Sequence, residues 1–202
     1  MTAPWQPLHE WWFGADVQAA AHEIAAARGK LWFGKNVMQD NEARELFAPL
    51  VRDALAGQLN DWLTDPRGLL AVVLLLDQLP RMIYRNNPKS FAGDSQAQAM
   101  VRDGIEAGLD QQLQPIERVF IYLVLEHAED PGQQRRAVAQ FRRLLDEAGP
   151  ADQLVFADYL DYAERHQRVI ERFNRFPHRN TVLGRRSSGE EVAFLKEPGS
   201  RF

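Results

Sequence analysis

The sequence predicts an all-α fold, an antiparallel array of about eight or nine helices in a single domain spanning residues 1–202. Three observations predict it. Apolar residues recur at helical spacing along most of the chain, as in Ala43, Leu46, Phe47, Leu50 and Ala54. No Asn-Gly or Asp-Gly pair joins two alternating apolar stretches, so hairpin signals are missing. Glycine and proline fall between the periodic segments, marking short connections of the kind that join antiparallel neighbours.

The elements follow in order. The tryptophans of "EWWFG" and "KLWFG" are expected to pack the core edge, and the repeated Trp-Phe-Gly could also line an apolar pocket beside the arginines discussed below. Asp40 is placed to cap a helix through "NEARELFAPLVRDALA", with Gly57 as its stop. Asp65-Pro66 opens "GLLAVVLLLDQL", which is apolar on every side and therefore central, until Pro80 bends or ends it. Its aliphatic run, Leu69 to Leu76, covers about two turns, whereas a bilayer span needs roughly 20 apolar residues. No membrane span is expected.

Asp94 is positioned to cap "SQAQAMVRDGIEA", which Gly108 closes, and Pro115 suits the first turn of "PIERVFIYLVLEHAED". Pro131-Gly132 breaks the chain before "QQRRAVAQFRRLLDEA". After Gly149-Pro150 a long helix is predicted from about Asp152 to Phe176. On it Tyr162, His166, Val169, Phe173 and Phe176 form a core-facing stripe. Arg165, Arg168, Arg172 and Arg175 form a second stripe beside it, with Glu164–Arg168 and Glu171–Arg175 spaced for helical ion pairs. An irregular arginine-rich segment, 177–187, precedes a short last helix for which Ser187 and Glu190 have capping-box spacing.

Composition narrows the classes of function. The chain has no cysteine, which removes disulfides, thiolate nucleophiles and cysteine-based zinc sites and suits a reducing cytoplasm. The first residues lack a basic segment followed by an apolar run, so no secretory signal is expected. Net charge is −4, yet residues 165–186 hold seven arginines and one acid, a local +6. That asymmetry suggests an anionic partner, while the acidic remainder argues against nucleic acid. No Gly-x-Ser-x-Gly elbow, phosphate-binding loop or dinucleotide fingerprint occurs, and neither a His-Glu-x-x-His pair nor an Asp-rich calcium loop. No metal or cofactor is expected.

Three stretches could carry chemistry. "RFNRFPHRNTVLGRRSS" gathers Arg175, Arg179, Arg185, His178 and Asn180 at the end of the long helix. Arginine forks match carboxylates and phosphates, and the same residues could equally form a solvated basic face. In "LLLDQLPRMIYR", Asp77 and Arg81 lie four apart beside the core, where an ion pair fixes helix register or serves a site. In "LEHAED", His127 lies among Glu126, Glu129 and Asp130, so a carboxylate can tune an imidazole for proton transfer or simply finish a helix.

Together "WWFG", "LWFG", "LLLDQLPRMIYR", "FAGD", "LEHAED", "RFNRFPHRN" and "LGRRSSGEEVAFL" resemble, in this order, the uncharacterised bacterial family known as domain of unknown function 924. The resemblance implies an all-helical, tetratricopeptide-like fold. It also implies motif positions at Asp77, Arg81, His127, Glu129, Arg175, His178, Arg179, Asn180 and Arg185, without a role for any. The chain departs from the family pattern at Asn174, commonly glycine, at Met82, often asparagine, and at Ala128, often serine.

Four functional readings remain open. The first is a small anionic ligand, phosphate- or carboxylate-bearing, held by Asp77, Arg81, Arg175, Arg179, Asn180 and Arg185. The second is a peptide-binding scaffold. The third is a hydrolase or lyase in which His127 or His178 carries a proton and Glu129 orients it. The fourth is a polar network that only locks the helices together. The idea of a shared site rests on these distant stretches meeting in the fold, with guanidinium groups near acids and imidazoles around a common hollow.

Overall fold

A computed structural model describes residues 3–16 and 18–200. Ten α-helical segments follow in sequence: α1 (Gln6–Phe13), α2 (Ala21–Phe33), α3 (Val37–Leu55), α4 (Pro66–Val73), α5 (Leu79–Ile83), α6 (Asp94–Glu106), α7 (Pro115–Glu126), α8 (Pro131–Glu147), α9 (Gln153–Phe173) and α10 (Gly189–Phe194). A π-helical turn, Leu74–Gln78, joins α4 to α5 without a break, so among the described residues they count as one of nine helices. Among the described residues there is no strand, and no helix is long and apolar enough to cross a membrane.

The centre is built as the apolar runs require. Residues Leu69 to Leu76 are buried on every side, and so are Val119 to Leu125 of α7. Burying each such Leu or Phe contributes about 1.5–3 kcal/mol relative to exposure. Trp12, Phe13 and Trp32 surround Phe120 of α7, with ring centroids 5.3, 5.4 and 4.9 Å from it. The repeated Trp-Phe-Gly segments therefore supply three core aromatics, while Phe33 of the second is exposed. A smaller apolar cluster, Val169, Ile170 and Phe176 with Phe173 and Phe194, holds the C-terminal segment against α9.

Several local expectations change. The cap of α3 is Asn36, whose side chain accepts from Met38 N; Asp40 lies one turn inside, buried, where its carboxylate takes both a 2.8 and a 2.6 Å bond from Arg85. Pro80 does not end the central helix. The π turn before it absorbs the missing donor, with Leu79 N bonding Leu74 O, and the helix continues to Ile83. Pro131 likewise opens α8 at its first position, with Asp130 accepting from Gln133 N. Ser188 with Glu191, one residue beyond the expected pair, caps α10.

Helix α9 stops at Phe173 because Asn174 takes a left-handed conformation, φ 54°, closing the helix with its N–H on Ile170 O. This is the position where the family commonly has glycine, and asparagine is among the few side chains that tolerate it. Tyr162 is half exposed, because the buried face of α9 runs through Phe156, Leu160, Ala163 and His166. Of the arginine stripe, Arg165 pairs along the helix with Asp161, whereas Arg172 and Arg175 pair across elements with Glu190 and Glu191; Glu164, expected to meet Arg168, meets Arg142 of α8 instead. Met82 and Ala128, the other departures, are both buried.

Candidate functional site

The site begins at the π turn. Widening the helix at Leu74–Gln78 places Asp77 fully inside the protein. The segment leading into α6 then passes directly over this turn. A Cβ at Gly93 would lie 2.3 Å from Leu76 O, so only glycine permits the approach. That approach sets Asp94, the first residue of α6, beside Arg81. Asp94 is therefore not the helix cap that sequence suggested; its carboxylate belongs to two arginines.

Arg81 donates to Asp94 through both terminal nitrogens, at 3.0 and 3.1 Å, and its Nη1 lies 3.0 Å from Asp77 Oδ1. Arg179 Nη1 reaches Asp94 Oδ2 at 3.3 Å. The Arg179 guanidinium sits over Phe91 at 4.8 Å and over Phe176 at 4.7 Å. Its side chain is only 7% exposed. Burial, together with the charge of Arg81, lowers its pKa to about 10, against the opposing pull of Asp94.

His127, just beyond α7, directs Nδ1 at both oxygens of Asp77, 2.9 Å away. Gln78 Nε2 donates to the same carboxylate at 2.6 Å. Burial alone would raise the pKa of Asp77; Arg81 and then His127 more than offset it and hold the carboxyl well below the ordinary range. Burial lowers the pKa of His127, with Asp77 opposing, so the neutral ring donates Nδ1–H to Asp77 and leaves Nε2 as its basic nitrogen. The carboxylate serving His127 is thus fifty residues away, not Glu126, Glu129 or Asp130.

Glu129 is occupied otherwise. It accepts from Arg185 Nη1 and Nη2 at 2.6 and 2.8 Å and from Phe176 N at 2.7 Å. Burial opposes its ionisation, and the Arg185 bonds first, then Phe176 N, lower its pKa. Arg185 Nε also bonds Asn180 Oδ1 at 3.0 Å, and Asn180 Nδ2 donates to Ser187 Oγ at 3.0 Å. Arg175 gives Nε and Nη2 to Glu191 at 2.6 and 2.8 Å. Arg175, Arg185 and Asn180 thus spend donors on fastening the segment after α9. His178 belongs to the same region, and burial followed by Arg179 lowers its pKa to about 3.

The structure therefore brings Asp77, Arg81, His127 and Arg179 into one cluster, with Glu129, Arg185 and Asn180 adjoining through Phe176. The rim of the cluster reaches solvent, where the His127 and Arg81 side chains are 17% and 20% exposed. Sequence reasoning missed Asp94, Phe91 and Gln78, and the buried His166–Glu126 pair at 2.9 Å. "FAGD" was a signal for Asp94, but a cap explained it equally well. Two cavities, about 220 and 340 Å³, lie elsewhere, and none of the nine candidate residues lines either. Among the described residues no group of three or more His, Asp or Glu is arranged to hold a metal ion.

Comparison with known proteins accounts for the shared motifs. The model of a bacterial protein family of unknown function, DUF924, matches residues 8–199. The chain belongs to the DUF924 family. A solved structure of a protein of unknown function from Agrobacterium tumefaciens is 34% identical, with a TM-score of 0.74, over 88% of this DUF924 chain and 99% of that one. No curated protein matches this DUF924 member.

Proposed function

We propose that the cluster around Arg81 and Arg179 binds a small anionic ligand bearing a carboxylate or phosphate. The observation that carries this reading is Arg179. Its guanidinium is buried between two phenyl rings and, among the described residues, Nε lacks a hydrogen-bond partner and the one carboxylate it bonds is already gripped by Arg81 through both oxygens. A buried charged donor left unsatisfied costs about 1–3 kcal/mol or more. Oxygens of an incoming anion offer the missing acceptors, in the planar geometry that a guanidinium fork recognises.

The Asp77–His127 pair adds a second capability. An imidazole held by an ionised carboxylate presents a basic nitrogen at the edge of the same cluster, the arrangement required for proton transfer to or from a bound ligand. On this reading Asp77, rather than Glu129, orients the histidine.

Isothermal titration with inorganic phosphate and with succinate tests the proposal. Saturable binding of at least one, weakened tenfold or more in Arg179→Met and partly retained in Arg179→Lys, is the expected result. Absence of heat with both anions, or equal affinity in Arg179→Met, refutes it.

A further inference from the structure

The arginine stripe of α9 takes no part in the Arg81–Arg179 cluster. Arg165, Arg168 and Arg172 lie three and four residues apart on one face of the helix, over about 10 Å of its axis. They line one side of the cavity of about 340 Å³, and Phe194 with residues 197–200 lines the other. Gly199, at φ 74°, brings its carbonyl to Arg165 Nη2, which donates to it at 3.3 Å. One water occupies roughly 30 Å³, so this space admits a molecule of several heavy atoms.

Arg168 decides the charge of the occupant. The acid one turn before it, Glu164, accepts from Arg142 of α8 at 2.6 Å, and Glu171, three residues beyond, accepts from Gln167 at 2.9 Å. Among the described residues the exposed Arg168 side chain makes no hydrogen bond or ion pair, and its neighbours on the same face are two more cations. Like charges at this helical spacing repel. Arginine stays protonated at every physiological pH, so no proton loss relieves the repulsion.

The nearby acids leave those donors open. Glu190 takes Arg172 Nε at 2.9 Å, Asp161 comes no nearer to Arg165 than 3.9 Å, and Glu197, on the opposite wall, pairs with none of the three among the described residues. A cation entering here meets three guanidinium groups, and a neutral molecule leaves the charge of Arg168 unmatched. A carboxylate offers two acceptor oxygens in the plane that a guanidinium fork fits.

The remaining wall is apolar. Phe173 and Phe194 stand with ring centroids 5.1 Å apart beside Val169, and the Arg172 guanidinium lies over both rings at 4.7 and 5.7 Å. An alkyl chain gains by covering these rings, and a bare inorganic anion does not.

We propose that this cavity is a second ligand site, distinct from the Arg81–Arg179 cluster, that takes a small organic anion, a carboxylate on a short apolar chain. The carboxylate pairs with Arg168, and the chain lies against Val169, Phe173 and Phe194.

The test titrates the protein with n-hexanoate, with n-hexylammonium, hexan-1-ol and acetate as matched controls, followed by calorimetry and by the arginine Nε–H resonances. Saturable hexanoate binding is expected, at least tenfold tighter than that of any control, with a shift of Arg168 Nε–H in the wild-type protein. Affinity should fall tenfold or more in Arg168→Gln, an exposed position at which the fold loses no contact, and stay unchanged in Arg179→Met. Equal or tighter binding of a control, an unmoved Arg168 resonance, or unchanged affinity in Arg168→Gln overturns the proposal. Loss of hexanoate binding in Arg179→Met alone assigns the anion to the first cluster and also overturns it.

Discussion

Arg81 and Arg179 converge on one carboxylate, that of Asp94, the first at 3.0 and 3.1 Å through both oxygens and the second at 3.3 Å. Two guanidinium groups share one counter-ion, with Phe91 beneath both, 5.4 Å from Arg81 and 4.8 Å from Arg179. Asp77 supports Arg81 from the other side.

Neutralising the shared carboxylate should expose the repulsion between its partners. Asp94→Asn is expected to destabilise the protein by roughly 3 kcal/mol, because it leaves a buried cation poorly paired. Arg179→Met in the same chain should recover part of that loss. A double-mutant cycle by urea unfolding is expected to give a coupling of about 1–3 kcal/mol between the two positions. Additive losses would show that Asp94 and Arg179 are not energetically coupled.

Two part-buried histidines set an acid limit. Burial depresses His178 to about 3 from an ordinary value of 6.5, and depresses His127 in the same direction. Between those values the unfolded chain binds protons that the folded chain refuses, so the unfolding free energy falls as pH drops. The loss begins near pH 6.5 and, for His178, is complete near pH 3. Its size is up to about 5 kcal/mol. Urea unfolding across pH 7 to 4 checks this, and His178→Phe should flatten the slope over that range.

Glycine at 93 is required by space rather than by its backbone angles. A methyl group there meets the Leu76 carbonyl at 2.3 Å, and that carbonyl belongs to the π turn that holds Asp77. Gly93→Ala should cost about 2–3 kcal/mol and loosen Asp94 from Arg81. Thermal unfolding measures the cost, and anion titration the second effect. A neutral result would mean that the turn shifts freely.

Asn174 carries the opposite prediction. Its φ of 54° is the left-handed region, where glycine has no Cβ penalty. Asn174→Gly should be neutral or stabilising by up to about 1 kcal/mol, whereas Asn174→Val should destabilise by more than that. Comparison of the two melting temperatures is sufficient.

Much of the architecture was legible because helix formation is decided within a few residues. Asp65 caps the helix opened by Pro66, and Pro115 and Gly57 mark boundaries, through backbone geometry that neighbouring residues alone determine. The Asp77–Arg81 pair was legible for the same reason, being one turn apart. Local reasoning failed where two short-range solutions were equally good. Ser187 and Ser188 each have a glutamate three residues on, and Asp40 and Asp94 each suit a cap until a distant arginine takes them.

The sequence by itself determined an all-helical chain, its central apolar helix, and the uneven charge that marks its last third. Only the tertiary structure decided which charges meet: His127 with Asp77, Arg185 with Glu129, and Arg179 with Asp94, pairs separated by 50, 56 and 85 residues. The reason is physical. Periodicity encodes which face of a helix is buried, but an ion pair across elements depends on how those faces pack, and here that packing turns on a π turn at Asp77 and the contact of Gly93 with it.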